Sequence, residues 1–438
     1  MCLSIYTYLF QHDGFCYLYN SETNLFSSIS EHLYAALYDG NFSIISQECL
    51  QQLILHKIIV KEEDLYNYYY KQRTVFLESS LDFSHLGLVL VPTSNCNFAC
   101  SYCFEGKKQA KYMSEEVVNS LISFINENKK AETLSITWYG GEPLMAFNLI
   151  EKITNRIKTE TKLKIREQSI VTNGYLITNK VIDFMRSNYF DSIQITLDGD
   201  KQTHNQSRFL KTTHHSTYQR IIENIDKLIK LLPKCHIKIR VNVDKRNQDD
   251  FINVFNKFQT LYKEYSNVDV YPGFIREETE DGNKMCYNSL CNTAAYSFYK
   301  NLSEKGINVS YFPFHKKKGC IANRFSSYII GSSGEIYKCW NDVNHPEKVI
   351  GSILEDKMQN TSLFYRYIYE TSPFNSNQCK NCLVFPVCSG ACASYIYKNL
   401  FEQKNFNLCT IIKDPHILED CLLCSRNTQK RDGWILYI

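Results

Sequence analysis

Between residues 86 and about 275, short apolar runs alternate with longer amphipathic stretches. The runs fall at 86–91, 134–139, 164–171, 192–197, 236–243 and 268–271. Each has the length of a strand and is rich in Val, Ile and Leu. Between them, at about 114–129, 147–161, 178–187, 216–232 and 249–262, apolar residues recur at the spacing of one helix face. Strand, loop and helix in this order predict parallel strands with right-handed crossovers, a partial or complete β/α barrel. In such a fold chemistry belongs at the C-terminal ends of the strands.

Residues 1–85 carry a different pattern. Alternating segments at 3–10, 15–19 and 24–29 predict short strands that turn at Gly14 and at Ser21 to Thr23. Ser30 and Ser46 stand where helix caps are needed, for helices ending near Gly40 and His56, with a strand-like 57–60 and a third helix from 62 to about 73. Strands with three short helices suggest a winged helix-turn-helix. Its charge speaks against DNA: four Lys or Arg face ten Asp or Glu in 1–85, where phosphate binding needs a basic surface. Residues 276–315 are less regular, with a helical pattern at 292–304 and with Cys286 and Cys291, and read as a bridge.

With 438 residues and 44% apolar side chains, the chain has material for two or three cored domains. Lys plus Arg exceed Asp plus Glu by only 49 to 46, so no overall field marks a nucleic-acid or membrane partner. The first residues lack a basic and apolar leader, and no run reaches the roughly 18 apolar residues of a membrane span. The expected location is therefore the reducing cytoplasm, where 18 cysteines read as metal ligands rather than disulfides.

The cysteines carry the chemistry. Cys96, Cys100 and Cys103 follow the first barrel strand as C-x3-C-x2-C. Three thiolates in one loop hold three corners of a 4Fe-4S cube and leave its fourth iron open. The alternative is a structural zinc loop, whose usual signature is two C-x2-C pairs, and no partner pair lies nearby. The spacing, with aromatic Tyr102 before the third cysteine, resembles the radical S-adenosylmethionine (radical SAM) superfamily. The resemblance implies that S-adenosylmethionine binds the open iron and is cleaved to a 5'-deoxyadenosyl radical.

Further strand ends fit this resemblance. Gly140, Gly141, Glu142 and Pro143 follow the second strand, and two glycines let the backbone approach a ligand closely. They look like the GGE motif of radical SAM enzymes, which implies contact with the amino group of the cofactor's methionine moiety. Asn173 offers a polar side chain after the third strand. Asp198 and Gly199, followed by His204, Asn205 and Arg208, resemble the "LDG...H...R" segment of peptide-modifying radical SAM enzymes, near cofactor or substrate. Arg240 and Asn242 alternate on the fifth strand and so share one face, the barrel interior. A buried Arg needs an anion; the cofactor carboxylate is one candidate and Asp198 the structural alternative.

From Cys320 the spacing is again informative. Thirteen residues lead to Gly334-x4-Cys339, then come Cys379-x2-Cys382-x5-Cys388-x3-Cys392 and finally Cys409. This resembles the seven-cysteine SPASM extension, which implies two auxiliary 4Fe-4S clusters. By that resemblance Cys379, Cys382, Cys388 and Cys409 complete one. Cys320, Cys339 and Cys392 hold the other with one iron open, since residues 321–338 contain no further cysteine. Zinc ribbons are the alternative. Cys421-x2-Cys424 is left over, as an eighth thiolate, a zinc pair between chains or two ordinary thiols. Cys2, Cys16, Cys49 and Cys235 read as small buried residues.

The resemblance spans nearly the whole chain. It implies an α/β protein, a partial (β/α)6 TIM-like radical SAM barrel at 86–275. An N-terminal winged-helix-like domain at 1–85 recognises a leader peptide, and after the bridge come a C-terminal cysteine-rich SPASM domain at 316–412 and a tail at 413–438. The implied activity is modification of a ribosomally synthesised precursor peptide by a thioether or other crosslink, with a reductant such as flavodoxin or ferredoxin. An anaerobic sulfatase-maturase-type enzyme making formylglycine is the nearest rival, although its usual Asp after the second SPASM cysteine is Trp340 here, with Asp342 nearby. A zinc-binding peptide adaptor without chemistry is the rival of another class.

Overall fold

The antiparallel part of the chain comes first. Strand β1 (Cys2–Leu3) pairs with β5 (Ile59–Val60), and β2 (Thr7–His12), β3 (Phe15–Asn20) and β4 (Leu25–Ile29) form a three-stranded meander. Helix α1 (Glu31–Tyr38) starts at Ser30 and α2 (Gln47–Leu55) at Ser46, each hydroxyl accepting from a backbone N–H of the first turn, as the sequence predicts. Helix α3 (Asn67–Ser80) follows. The computed structural model describes residues 1–100, 102–103, 110–244, 247–274, 293–307, 315, 319–355, 358–388 and 390–428.

By mutual contact the chain forms two units. Unit one gathers Met1–Ser79, Ser289–Cys320 and Glu370–Ile438; unit two gathers Ser80–Asn288 and Ile321–Tyr369. Within unit one the meander is buried on both faces. Leu18 and Leu25 pack with Leu33, Leu37, Leu53 and Ile59 of its own helical side. On the other face Phe10, Tyr17 and Tyr19 meet Val384, Val387, Leu418 and Leu422. Helix α3 adds Tyr69 and Phe76, packed with Phe374 and Phe385. Each such ring contributes roughly 1.5–3 kcal/mol on burial, so the N-terminal strands and the cysteine-rich segment share one hydrophobic core.

In unit two the apolar runs become parallel strands: β6 (His85–Thr93), β7 (Thr133–Gly140), β8 (Lys164–Thr172), β9 (Ser192–Leu197), β10 (His236–Val243) and β11 (Val268–Phe274). Helices α4 (Glu115–Glu127), α5 (Phe147–Glu160), α6 (Asn179–Ser187), α7 (Lys201–Ser207), α8 (Tyr218–Leu231) and α9 (Gln248–Leu261) fall between them. Alternate strand positions such as Leu134, Ile136, Trp138, Ile193, Ile195, Ile237 and Ile239 are buried, as are Leu121, Ile153, Ile157, Ile225 and Leu228 of the helices. The intervening positions of β9 and β10 are polar: Gln194, Thr196, Lys238, Arg240 and Asn242.

The sheet does not end at β6. Strand β12 (Ser327–Ile330) runs parallel to it, and β13 (Glu335–Tyr337) and β14 (Gly351–Ser352) continue antiparallel, giving nine strands. Val89, Val91 and Tyr139 pack with Ile329, Tyr337 and Val343 across this extension. Residues 321–369 therefore build onto the α/β sheet, while the cysteines from Cys379 onward fold with the N-terminal strands. No helix among the described residues is long and apolar enough to cross a membrane.

Candidate active site

Strand β6 leaves the sheet at Thr93 and runs into the first cysteine loop. Cys96 and Cys100 are half-buried and Cys103 is exposed. The loop base is gripped by the end of β7. A Cβ on Gly141 would lie 2.2 Å from the Asn95 carbonyl oxygen and 2.5 Å from that of Ser94, and Gly140 has φ +123°. Both positions need glycine. The close approach is thus made to the loop's own backbone, and Glu142 N–H donates to the Asn95 carbonyl at 2.8 Å.

Glu142 is fully buried. Its Oε1 accepts from Leu144 N at 3.0 Å and Thr172 Oγ1 at 2.7 Å, and its Oε2 from Asn173 N at 2.7 Å. Burial raises its pKa in spite of these donors. Pro143 opens the single turn Pro143–Ala146 that leads into α5. The Asn173 side chain continues the chain of bonds, donating from Nδ2 to Asn97 Oδ1 at 2.8 Å between the first two cysteines. On the loop's other side, Lys211 N donates to the Asn97 carbonyl at 2.8 Å and Ala99 N to that of Phe209 at 3.1 Å, while Phe98 bridges Leu210. Asn97 and the 209–211 strap carry no motif, and the sequence did not point to them.

Tyr102 lies between Cys100 and Cys103, and its hydroxyl is the centre of a buried polar network. It donates to the Asp198 carboxylate at 2.6 Å, and accepts from Arg208 Nη1 at 2.9 Å and Asn242 Nδ2 at 3.0 Å. Arg208 stands 3.9 Å from Asp198 Oδ1, and the two side chains are 9% and 2% exposed. The guanidinium also lies over the Phe98 ring, 5.6 Å from its centroid. Burial raises the Asp198 pKa against the pull of Arg208, and burial likewise raises that of Tyr102, which stays protonated and donating. Burial opposes the charge on Arg208, but Tyr102, Cys100 and Asp198 around it hold its pKa well above the ordinary value. His204 supports this from behind: burial, with Arg208 beside it, keeps the imidazole neutral, and it contacts Asp198 N and Thr217 Oγ1.

Arg240 needs a correction. Its structural alternative, Asp198, is paired with Arg208 instead, and Arg240 Nε donates to Asn242 Oδ1 at 3.1 Å. The half-buried Arg240 side chain crosses Gly273 on β11, where a Cβ would lie 2.1 Å from Nε. Among the described residues it makes no ion pair, so its charge is available to an anion.

Four C-terminal cysteines of unit one come together around one cavity. Cys379, Cys382, Cys388 and Cys409 line one cavity of about 290 Å³, together with apolar Val384, Phe385 and Leu408. Burial raises the Cys379 pKa, and the thiols of Cys388, Cys382 and Cys409 raise it further. A zinc ion draws its sulfurs about one centre at about 2.3 Å, whereas a 4Fe-4S cube gives each thiolate its own iron and keeps the sulfurs apart. Four thiols around a cavity fit the cube. Cys320 and Cys392 also belong to unit one; Cys339 belongs to unit two, just past β13, where the next residue, Trp340, packs edge-on against Tyr139 at 4.8 Å. Cys421 is fully buried between Leu418 and Leu422, as an ordinary core thiol would be, and Cys424 is half-buried. Cys286 and Cys291 lie outside the described residues.

Residues 90–258 match the model of the Radical SAM superfamily. The chain is 26% identical over 366 residues to the radical SAM cyclopropyl synthase TigE of Paramaledivibacter caminithermalis, covering 77% of this chain and 73% of that protein. It is 26% identical over 351 residues to a cysteine-type anaerobic sulfatase-maturating enzyme of Clostridium novyi, covering 74% and 92%. Its fold is similar to that of Streptococcus suis SuiB bound to the precursor peptide SuiA, with TM-score 0.51, 15% identity and coverage of 92% and 97%.

Proposed function

We propose that this chain, an enzyme of the radical SAM superfamily, modifies a ribosomally made precursor peptide, forming a thioether or another crosslink. As an enzyme, it leaves no place for the adaptor reading. The superfamily implies a 4Fe-4S cluster and S-adenosylmethionine, which when bound supply a 5'-deoxyadenosyl radical. Cys96, Cys100 and Cys103 are the donors we assign to that cluster. Glu142, Asn173 and Asn97 fix the loop that presents them, Tyr102 anchors its far side, and Arg240 offers a cation to the cofactor carboxylate. Cys379, Cys382, Cys388 and Cys409 are assigned to a closed auxiliary cluster; Cys320, Cys339 and Cys392 are assigned to a second by their SPASM spacing alone.

The observation that carries the peptide reading is the reach of the SuiB likeness. The part of the chain it leaves out is shorter than Met1–Ser79, so the likeness reaches into that N-terminal segment. In the meander, β2 and β4 pair with β3 alone among the described residues, and an extended leader can add to such an edge by backbone pairing. Thioether formation joins a thiol sulfur to a carbon with loss of two hydrogens. One leaves as the hydrogen abstracted by the deoxyadenosyl radical, the other as a proton, and the remaining electron passes to an auxiliary cluster. A flavodoxin or ferredoxin of the cytoplasm is the proposed donor for the first cluster. The formylglycine rival is disfavoured by Trp340, whose indole packs on Tyr139 and carries no carboxylate.

The test is anaerobic incubation of the reconstituted enzyme with the precursor peptide, followed by alkylation and mass spectrometry. The reading expects a product lacking two hydrogens and one alkylation site per crosslink. A product lacking two hydrogens with every cysteine still alkylated would make the link carbon to carbon. Loss of cysteine sulfur would give the formylglycine reading instead.

A further inference from the structure

The buried pair Asp198 and Arg208 does more than fill space. It is reached by the hydroxyl of Tyr102, a residue flanked by two of the loop cysteines, and Arg208 touches both Tyr102 and the Phe98 ring. The backbone just past Arg208 is paired to the loop at Phe98, Ala99 and Asn97. An ion pair in so dry a place is costly to assemble and is weak evidence for stability. Apolar residues of similar volume would anchor a tyrosine ring as well. What the pair adds is two opposite charges held next to a loop of three thiols. Arg208 Nε, buried and without a hydrogen-bond partner among the described residues, keeps one donor in reserve at this point.

We propose that Arg208 and Asp198 are a charge-balancing pair for the cluster loop: Arg208 supplies a cation beside the thiolates, and Asp198 cancels enough of it to keep the cluster hard to reduce. The inference rests on the assignment of the radical SAM cluster to Cys96, Cys100 and Cys103. Net charge and hydrogen bonds near an iron-sulfur cluster set its reduction potential, and in a low-dielectric site one uncompensated charge acts strongly. Both residues act through the loop, and so are positioning residues. Tyr102 transmits their geometry, since its single hydroxyl is shared by Asp198, Arg208 and Asn242.

The test is a potentiometric titration of the reconstituted holoenzyme, following the electron paramagnetic resonance signal of the loop cluster. Arg208→Gln should shift its potential to more negative values, Asp198→Asn to more positive values, and the double variant should return towards the native value. A merely structural pair would not give shifts of opposite sign. Two single variants that shift the same way, or do not shift, overturn the proposal. If Arg208→Gln fails to take up the cluster, Arg208→Lys decides, because it keeps the charge and loses the fork. Restored occupancy supports the charge role, and a cluster as absent as in Arg208→Gln overturns it. A native enzyme with no loop-cluster signal at all would instead sink the underlying assignment.

Discussion

The two cysteine centres are built in opposite ways. The first is a loop at the C-terminal end of an interior strand, with Cys103 exposed and its shape imposed from outside by Glu142, Asn173, the 209–211 strap and the Tyr102 network. The second lines a cavity with four thiols among mixed side chains, apolar ones such as Val384, Phe385 and Leu408 and polar ones such as Ser376, Asn399 and Lys413. On the assignment proposed above, a loop of three donors would leave a cluster one coordination position for a ligand that must come and go. Four donors around one cavity would, on the same assignment, saturate a cube and leave it to pass electrons. The buried polar network is concentrated at the first group of thiols, while the second folds with the hydrophobic core of the N-terminal strands.

The largest effect that sharpens this contrast comes from removing the open centre. Cys96, Cys100 and Cys103 replaced together by Ala should bring 5'-deoxyadenosine release under dithionite down to that of protein-free solution, with C-terminal iron retained on assay. The closed centre should fail differently, through the core it shares with the N-terminal strands. Phe385→Ala removes a ring packed on Tyr69 and Phe374 and should destabilise unit one by about 3–5 kcal/mol. Hydrogen exchange should then rise in β2–β4 as well as near residue 385. Exchange confined to the cysteine-rich segment would break the shared-core account.

Glu142→Gln should cost about 1–3 kcal/mol, because an amide N–H2 would face the Thr172 or Asn173 donors that the carboxylate now satisfies. It should also change the pH dependence. Burial raises the Glu142 pKa above its ordinary 4.5, so the folded protein binds this proton more tightly than the unfolded chain. Its contribution to stability therefore falls as pH rises from 4.5 through the folded value. Urea titrations across that range should show a shallower decline in the variant, with the residual slope left to Asp198, shifted the same way. The smallest effect is expected at Lys413, whose Nζ lies 3.4 Å from Cys409 Sγ on an exposed side chain. Lys413→Met should move the auxiliary cluster to a slightly more negative potential, and the difference should shrink at high salt.

Much of this was legible in the chain. The barrel strands and the helices between them follow from their period, and Ser30 and Ser46 cap where their neighbours' polarity says they should. The cysteine spacing singled out both groups of thiols, the loop after β6 and the four that line one cavity. What escaped has physical reasons. Strands β12 to β14 run only two to four residues, too short for alternation to register, and owe their conformation to the edge of β6. The meander reads as half-exposed because its second covering layer, Val384 to Leu422, comes from the far end of the chain. Asp198 found Arg208 rather than Arg240 because the helix α7 turns Arg208 back onto the strand ends, while Gly273 opens a path for Arg240 along the sheet. Asn97 is one more polar residue in a loop until Asn173 is seen to reach it.

The contrast between an open and a closed centre is tested most directly by adding S-adenosylmethionine to the dithionite-reduced enzyme and following its electron paramagnetic resonance spectrum, in the native protein and in the triple Cys96, Cys100, Cys103 variant. The account predicts that one cluster signal changes on addition, that this signal is absent from the triple variant, and that the remaining signals are indifferent to the cofactor. A cofactor-sensitive signal that survives in the triple variant would contradict it.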